Sequence, residues 1–116
     1  TITKENMDNQ AKIIPAENLV NQKLLKGALV NFVHSKSMTL AEWRFEAGTP
    51  LPEHSHPHEQ ITKLIAGKFE LTIGGETYQL EAGSAAIIPP HAIHSAKAMT
   101  SCHVIDVFHP TREEYK

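Results

Sequence analysis

The chain has 116 residues, with 11 basic and 13 acidic side chains mixed along it and a formal charge of −2. That length fits one domain, residues 1–116, large enough to bury a real core. The charge pattern excludes the Lys and Arg footprint of a nucleic-acid binder, and no apolar run is long enough for a membrane-spanning helix.

In chain order, Thr1 to Gln10 are polar, and residues 1–12 are expected to form a loosely held N-terminal segment. The opening lacks the apolar core of a signal peptide, so a soluble, cytoplasmic protein is expected. Ala16 to Leu25 is the main helical candidate, and Thr111 to Tyr115 a shorter one. From Leu29 onward the pattern is of strands and turns. Met38 to Phe45 is rich in large and β-branched residues and ends at Gly48-Thr49-Pro50. Gln60 to Ala66 follows, then Lys68 to Ile73, which alternates apolar and polar as a half-buried strand does. Gly74-Gly75 signals a tight hairpin into Glu76 to Leu80. Ala85 to Ile88 is a short strand stopped by Pro89-Pro90, and Cys102 to Phe108 is the last, halted at Pro110. Many short strands separated by Gly and Pro turns give an all-β sandwich or barrel. Cys102 is alone, which excludes an internal disulfide, and no basic neighbour activates it. It reads as a small buried hydrophobe.

The chemistry concentrates in the middle of the chain. His54, His56 and His58 occupy alternate positions, Gln60 follows two residues later, and His94 stands further on. Neutral imidazole is the commonest metal ligand. Side chains at i and i+2 of an extended segment share a face, so His54 and His56 can grip one ion while His94 closes the shell from another strand. Strict alternation also puts His58 on that face. His34, His103 and His109 read as structural or surface groups.

These residues resemble the two motifs of the cupin superfamily. The first runs through Gly48, His54, His56, Gln60 and Gly67, with Gln where the pattern has Glu. The second runs through Gly83, Pro89, His91, His94 and Ala98, with His91 at a glycine place and Ala98 at an asparagine place. The resemblance implies a double-stranded β-helix, or jelly roll, holding one divalent transition metal ion on His54, His56, Gln60 and His94. Nickel, zinc, iron and manganese are not distinguished. It gives the fourth ligand place to Gln60 and leaves His58 at the rim or as a supporting partner. His tolerates a left-handed backbone better than most residues, so the turn at His91 is expected to survive. Three imidazoles and a carboxamide are neutral, so the ion keeps its full charge and favours anionic ligands.

The C-terminal stretch Asp106-Val107-Phe108-His109-Pro110-Thr111-Arg112, taken with the histidine segment, is similar to the cupin-type pectin-degradation proteins. Those proteins open the ring of 4,5-unsaturated uronates to give linear 4-deoxy-5-keto uronates. The likeness implies that Asp106 is a catalytic acid/base, Phe108 a pocket wall and Arg112 a clamp for the substrate carboxylate. Periodicity alone favours a plainer reading, in which Asp106 faces solvent while Ile105 and Val107 face the core. A cupin dioxygenase and a non-catalytic module that binds metal or a sugar acid are the alternatives to the ring-opening enzyme. The expected partners are a small acidic sugar and a second copy of the chain, joined by sheet packing or by exchange of N-terminal segments over Ile13 to Leu29, with no nucleic acid and no membrane.

Overall fold

The computed structural model describes residues 10–116, and Thr1 to Asn9, most of the segment expected to be loose, lie outside them. The described residues form ten strands: β1 (Gln22–Leu25), β2 (Ala28–His34), β3 (Thr39–Phe45), β4 (Pro50–His54), β5 (Glu59–Ala66), β6 (Lys68–Ile73), β7 (Glu76–Glu81), β8 (Ala85–Ile88), β9 (His94–Ala98) and β10 (Cys102–His109). They form a six-stranded sheet in the order β1-β2-β3-β10-β5-β8 and a four-stranded sheet in the order β4-β9-β6-β7. Every pairing is antiparallel. This is the double-stranded β-helix.

The helix expected over Ala16 to Leu25 does not form. Ala16–Asn18 make one 3₁₀ turn and Gln22–Leu25 are strand β1. Val20 and Leu24 stay exposed, so a helix there would have no apolar face to bury. The turn at Lys26-Gly27 instead folds β1 back on β2. At the other end only Glu113–Tyr115 are helical, again as a 3₁₀ turn. The Gly74-Gly75 hairpin forms as its sequence dictates, with φ of 57° and 87° at its two centres. Gly67, between β5 and β6, has no room for a side chain, because a Cβ would run into the Ser101 carbonyl.

Alternation decides what each strand puts inside. On β5, Gln60, Thr62 and Leu64 point inward; on β10, Cys102, Val104, Asp106 and Phe108 do. Leu64, Val30 and Val104 are almost wholly buried between the sheets, and each contributes about 1.5–3 kcal/mol by that burial. Trp43, Phe45 and Phe69 stack in sequence, with centroids 5.3 and 5.8 Å apart, and join the two sheets. Cys102 is buried beside the Lys68 carbonyl, in the structural role expected of it. The apolar core fills one part of the sandwich and a polar cluster occupies another.

Candidate metal centre

The histidines converge because the chain brings two strand ends and one loop together. His54 is the last residue of β4, His94 the first of β9, and the two are paired across the ladder. His56 sits in the loop before β5. One ring nitrogen from each lies within 4.8 Å of the others. The loop is braced by a backbone hydrogen bond from the His91 N–H to the His56 carbonyl, 2.7 Å long. His91 holds φ at 67° to make it, so the histidine at the motif's glycine place does keep the left-handed turn.

Each of these imidazoles has its outer nitrogen fixed by a backbone carbonyl. His54 Nδ1 lies 2.8 Å from Pro52 O, His56 Nδ1 lies 3.0 Å from His58 O, and His94 Nδ1 lies 2.8 Å from Ala92 O. A carbonyl only accepts, so Nδ1 carries the proton in all three, and each neutral ring presents Nε2 as a lone pair. Outer hydrogen bonds of this kind are what orient metal-binding histidines. His94 Nε2 is buried with no hydrogen-bond partner, an orphaned acceptor of the kind a cation satisfies. Gln60 joins from β5, with Oε1 2.9 Å from His56 Nε2. The three imidazoles could therefore hold a divalent ion of borderline softness, and Gln60 Oε1 is placed where it could join them.

His58 does not join them. Residues 55–58 are not strand, so alternation stops at His54. The His58 ring packs edge-on against that of His56, with centroids 5.4 Å apart, outside the set of converging nitrogens, and it is the His58 carbonyl that serves, by accepting from His56. His34 and His103 are structural, as expected. His34 ties Thr39 to the Tyr115 carbonyl, and His103 pairs with Glu42.

Burial holds the ring of His56 neutral. Desolvation, helped by the nearby Arg112 charge, pushes its pKa down to about 4. Desolvation also lowers that of His94. Protons therefore compete weakly for these two nitrogens near neutrality.

Asp106 faces inward and is 9 % exposed, while Ile105 and Val107 point outward, the reverse of what periodicity alone favours. Desolvation raises its pKa to about 6, against hydrogen bonding and the Arg112 charge, which favour the carboxylate. Thr62 Oγ1 donates to Asp106 Oδ1 at 2.6 Å. Trp43 Nε1 is buried without a well-formed hydrogen bond, yet lies close enough to favour the charged carboxylate.

Arg112 is 7 % exposed, and its guanidinium lies 4.7 Å from the Phe108 ring centre and 4.4 Å from that of Tyr115. Among the described residues its side chain has one hydrogen bond, from Nε to Glu114 Oε1. The guanidinium lines the cavity and also lies within reach of the Tyr115 hydroxyl. His54, Gln60, Thr62, His94, Asp106, Phe108 and Arg112 all line one cavity of about 250 Å³, whose remaining wall is mostly apolar. Sequence reading missed Thr62, Trp43 and Tyr115 as members of this wall. Thr62 was open to discovery, two residues beyond Gln60 on an alternating strand; nothing local marks the other two.

The family model described as the cupin domain matches residues 41–108. The chain belongs to the cupin family. It is similar to the pectin degradation protein KdgF of Dickeya dadantii, 36% identical over 70 residues that span 59% of this chain and 61% of that protein. An uncharacterized protein of Streptomyces coelicolor is 26% identical over 85 residues, spanning 72% of this cupin and 81% of its relative. The solved structure of KdgF from a Halomonas species superposes with a TM-score of 0.86 at 26% identity, covering 92% of this cupin and all of that chain (100%).

Proposed function

We propose that this cupin opens the ring of 4,5-unsaturated uronates to give 4-deoxy-5-keto uronates, in a cavity that holds one divalent transition metal ion. The observation that carries the reading is the placement of Asp106. It is a buried carboxylate with a pKa raised to about 6, in the same cavity as the histidine cluster and the Arg112 guanidinium. The likeness to KdgF proteins in sequence and fold supports the substrate class.

The reaction needs no oxidant and no net water. The C1 hydroxyl loses its proton as the bond from C1 to the ring oxygen breaks and the ring oxygen takes a proton up, leaving an aldehyde and an enol at C5. The enol oxygen then loses its proton while C4 gains one, which gives the ketone; substrate and product have the same formula. Asp106 suits the proton transfers because its pKa lies near working pH, so it can both take and return a proton. The Arg112 guanidinium binds the substrate carboxylate. Phe108 walls the pocket and stacks on that guanidinium. A bound dication supplies Lewis-acid polarisation of the substrate oxygens.

The test is incubation of the metal-loaded protein with lyase-generated unsaturated monouronate, following ultraviolet absorbance of the conjugated double bond. Loss of absorbance, abolished by chelation and restored by metal, is expected. Decay equal to that in buffer, with metal bound, rejects the reading; oxygen uptake in its place would point to a dioxygenase.

We further propose that two copies pair through the outer face of the larger sheet. Val33, Leu40, Val107, Ile61 and Ile87 line up in register across β2, β3, β10, β5 and β8. A two-fold axis along β10 lays β3 over the partner's β5, so that Leu40 meets Ile61 and Glu42 meets Lys63 in both halves.

A further inference from the structure

One side chain lies between the ligand cage and the buried carboxylate. Thr62 is 2 % exposed, follows Gln60 by two residues on β5, and stands opposite Asp106 in the ladder to β10. Its Oγ1 is 2.9 Å from Gln60 Nε2 and 2.6 Å from Asp106 Oδ1. A hydroxyl has one proton to donate. A carboxylate only accepts, so that proton goes to Asp106. The same oxygen then accepts from Gln60, which requires the amide nitrogen on the Thr62 side. Gln60 Oε1 is thereby turned toward the imidazoles, 2.9 Å from His56 Nε2. The His56 Nδ1 proton is already committed to the His58 carbonyl. Two lone pairs thus face each other, a contact that repels until a cation neutralises it.

We infer that Thr62 is a positioning residue, whose hydroxyl sets the Gln60 amide with its oxygen toward the metal and ties the ligand cage to the Asp106 carboxylate. The inference rests on the metal-bearing part of the function proposed above and on nothing about the substrate. Without the hydroxyl, the Gln60 N–H loses its acceptor and the two ends of the amide become interchangeable. A flipped amide donates to His56 Nε2 and withdraws two ligands at once.

A double-mutant cycle on metal affinity tests this. The proteins are wild type, Thr62→Val, Thr62→Ser, Gln60→Ala and the Thr62→Val/Gln60→Ala double variant. Each is stripped and titrated with Co(II) against a chromophoric chelator. Thr62→Val should weaken binding about 10–100-fold, the usual effect of losing a partner that orients a ligand. Thr62→Ser should stay within about threefold of wild type, since it keeps the hydroxyl. In the Gln60→Ala background Thr62→Val should change nothing further, and its Co(II) visible spectrum should match that of Gln60→Ala alone. Should Thr62→Val fail to fold, Thr62→Ala replaces it in the same cycle. Wild-type affinity and spectrum in Thr62→Val, or an equal loss with and without Gln60, overturns the inference. A wild-type protein that binds no metal overturns it together with the proposed function. One that binds metal but leaves uronate untouched overturns only that function, and the cycle still decides the role of Thr62.

Discussion

Asp106→Asn should make the metal-free protein more stable while abolishing turnover. The side chain is buried and its pKa stands at about 6, against 3.8 for an unperturbed aspartate. Holding it charged in the fold therefore costs about 3 kcal/mol above pH 7, at 1.36 kcal/mol per pKa unit. Asparagine has the same shape and no charge to desolvate, but it gives up the charge-assisted hydrogen bond from Thr62. A net gain of about 1–3 kcal/mol is expected, on the order of 4–10 °C in Tm for a chain of this size. The sign of the pH dependence follows from linkage. The folded state takes up its proton near pH 6 and the unfolded state near 3.8, so the wild type gains stability as pH falls through 6. The part of the variant's advantage that comes from the charge, about 3 kcal/mol above pH 7, should shrink by about half at pH 5 and vanish near pH 3. His56, whose depressed pKa works in the opposite direction between pH 6.5 and about 4, is present in both proteins and cancels in the difference. The assay is urea unfolding of both chelator-treated proteins at several pH values, beside uronate turnover of the metal-loaded forms. A variant less stable than wild type at pH 8, or a difference that ignores pH, would refute the reasoning.

Gln60→Glu places a second carboxylate against Thr62, whose single hydroxyl proton cannot serve both. Metal binding should tighten about tenfold as the cage gains a negative charge, while kcat falls with the lost Lewis acidity; chelator competition and steady-state kinetics check this, and a faster enzyme would sink it. Arg112→Lys keeps the charge but loses both the fork and the flat stack against Phe108 and Tyr115. KM for the uronate should rise about 10–100-fold with a smaller effect on kcat, and an unchanged KM would remove Arg112 from carboxylate binding. Ile61→Glu puts a charge in the middle of the outer apolar row, so light scattering should report a dimer for wild type and a monomer for the variant. A monomeric wild type would dispose of the proposed pairing.

The convergence of His54, His56 and His94 was legible from the close spacing of the first two and from the cupin motif that holds the third; the strand alternation expected to align His54 with His56 does not operate, because His56 sits in a loop. Asp106 was not legible from periodicity, and the reason is physical. On β10 the inward set Cys102, Val104, Asp106, Phe108 and the outward set His103, Ile105, Val107 are nearly matched in hydrophobicity. The contrast that usually marks the buried face is missing because the outer face of this sheet is itself apolar along one row. Leu40, Ile61 and Ile87 are all exposed there. Only the cupin resemblance broke the tie at Asp106. The misread N-terminus has a related cause. Ala16, Leu19, Val20 and Leu24 repeat with a helical period, but among the described residues Ala16, Val20 and Leu24 stay exposed, and a helix without a covered face has little to hold it. Both errors fall where apolar side chains remain on the surface of the isolated chain. An apolar pattern read from sequence registers the need for burial without saying what supplies it. The strands that misled the reading are the ones with surface left to cover, and beside the apolar row through Val107 the row through Ile105 carries the complementary charges, Glu42 and Lys63, that a second copy can meet.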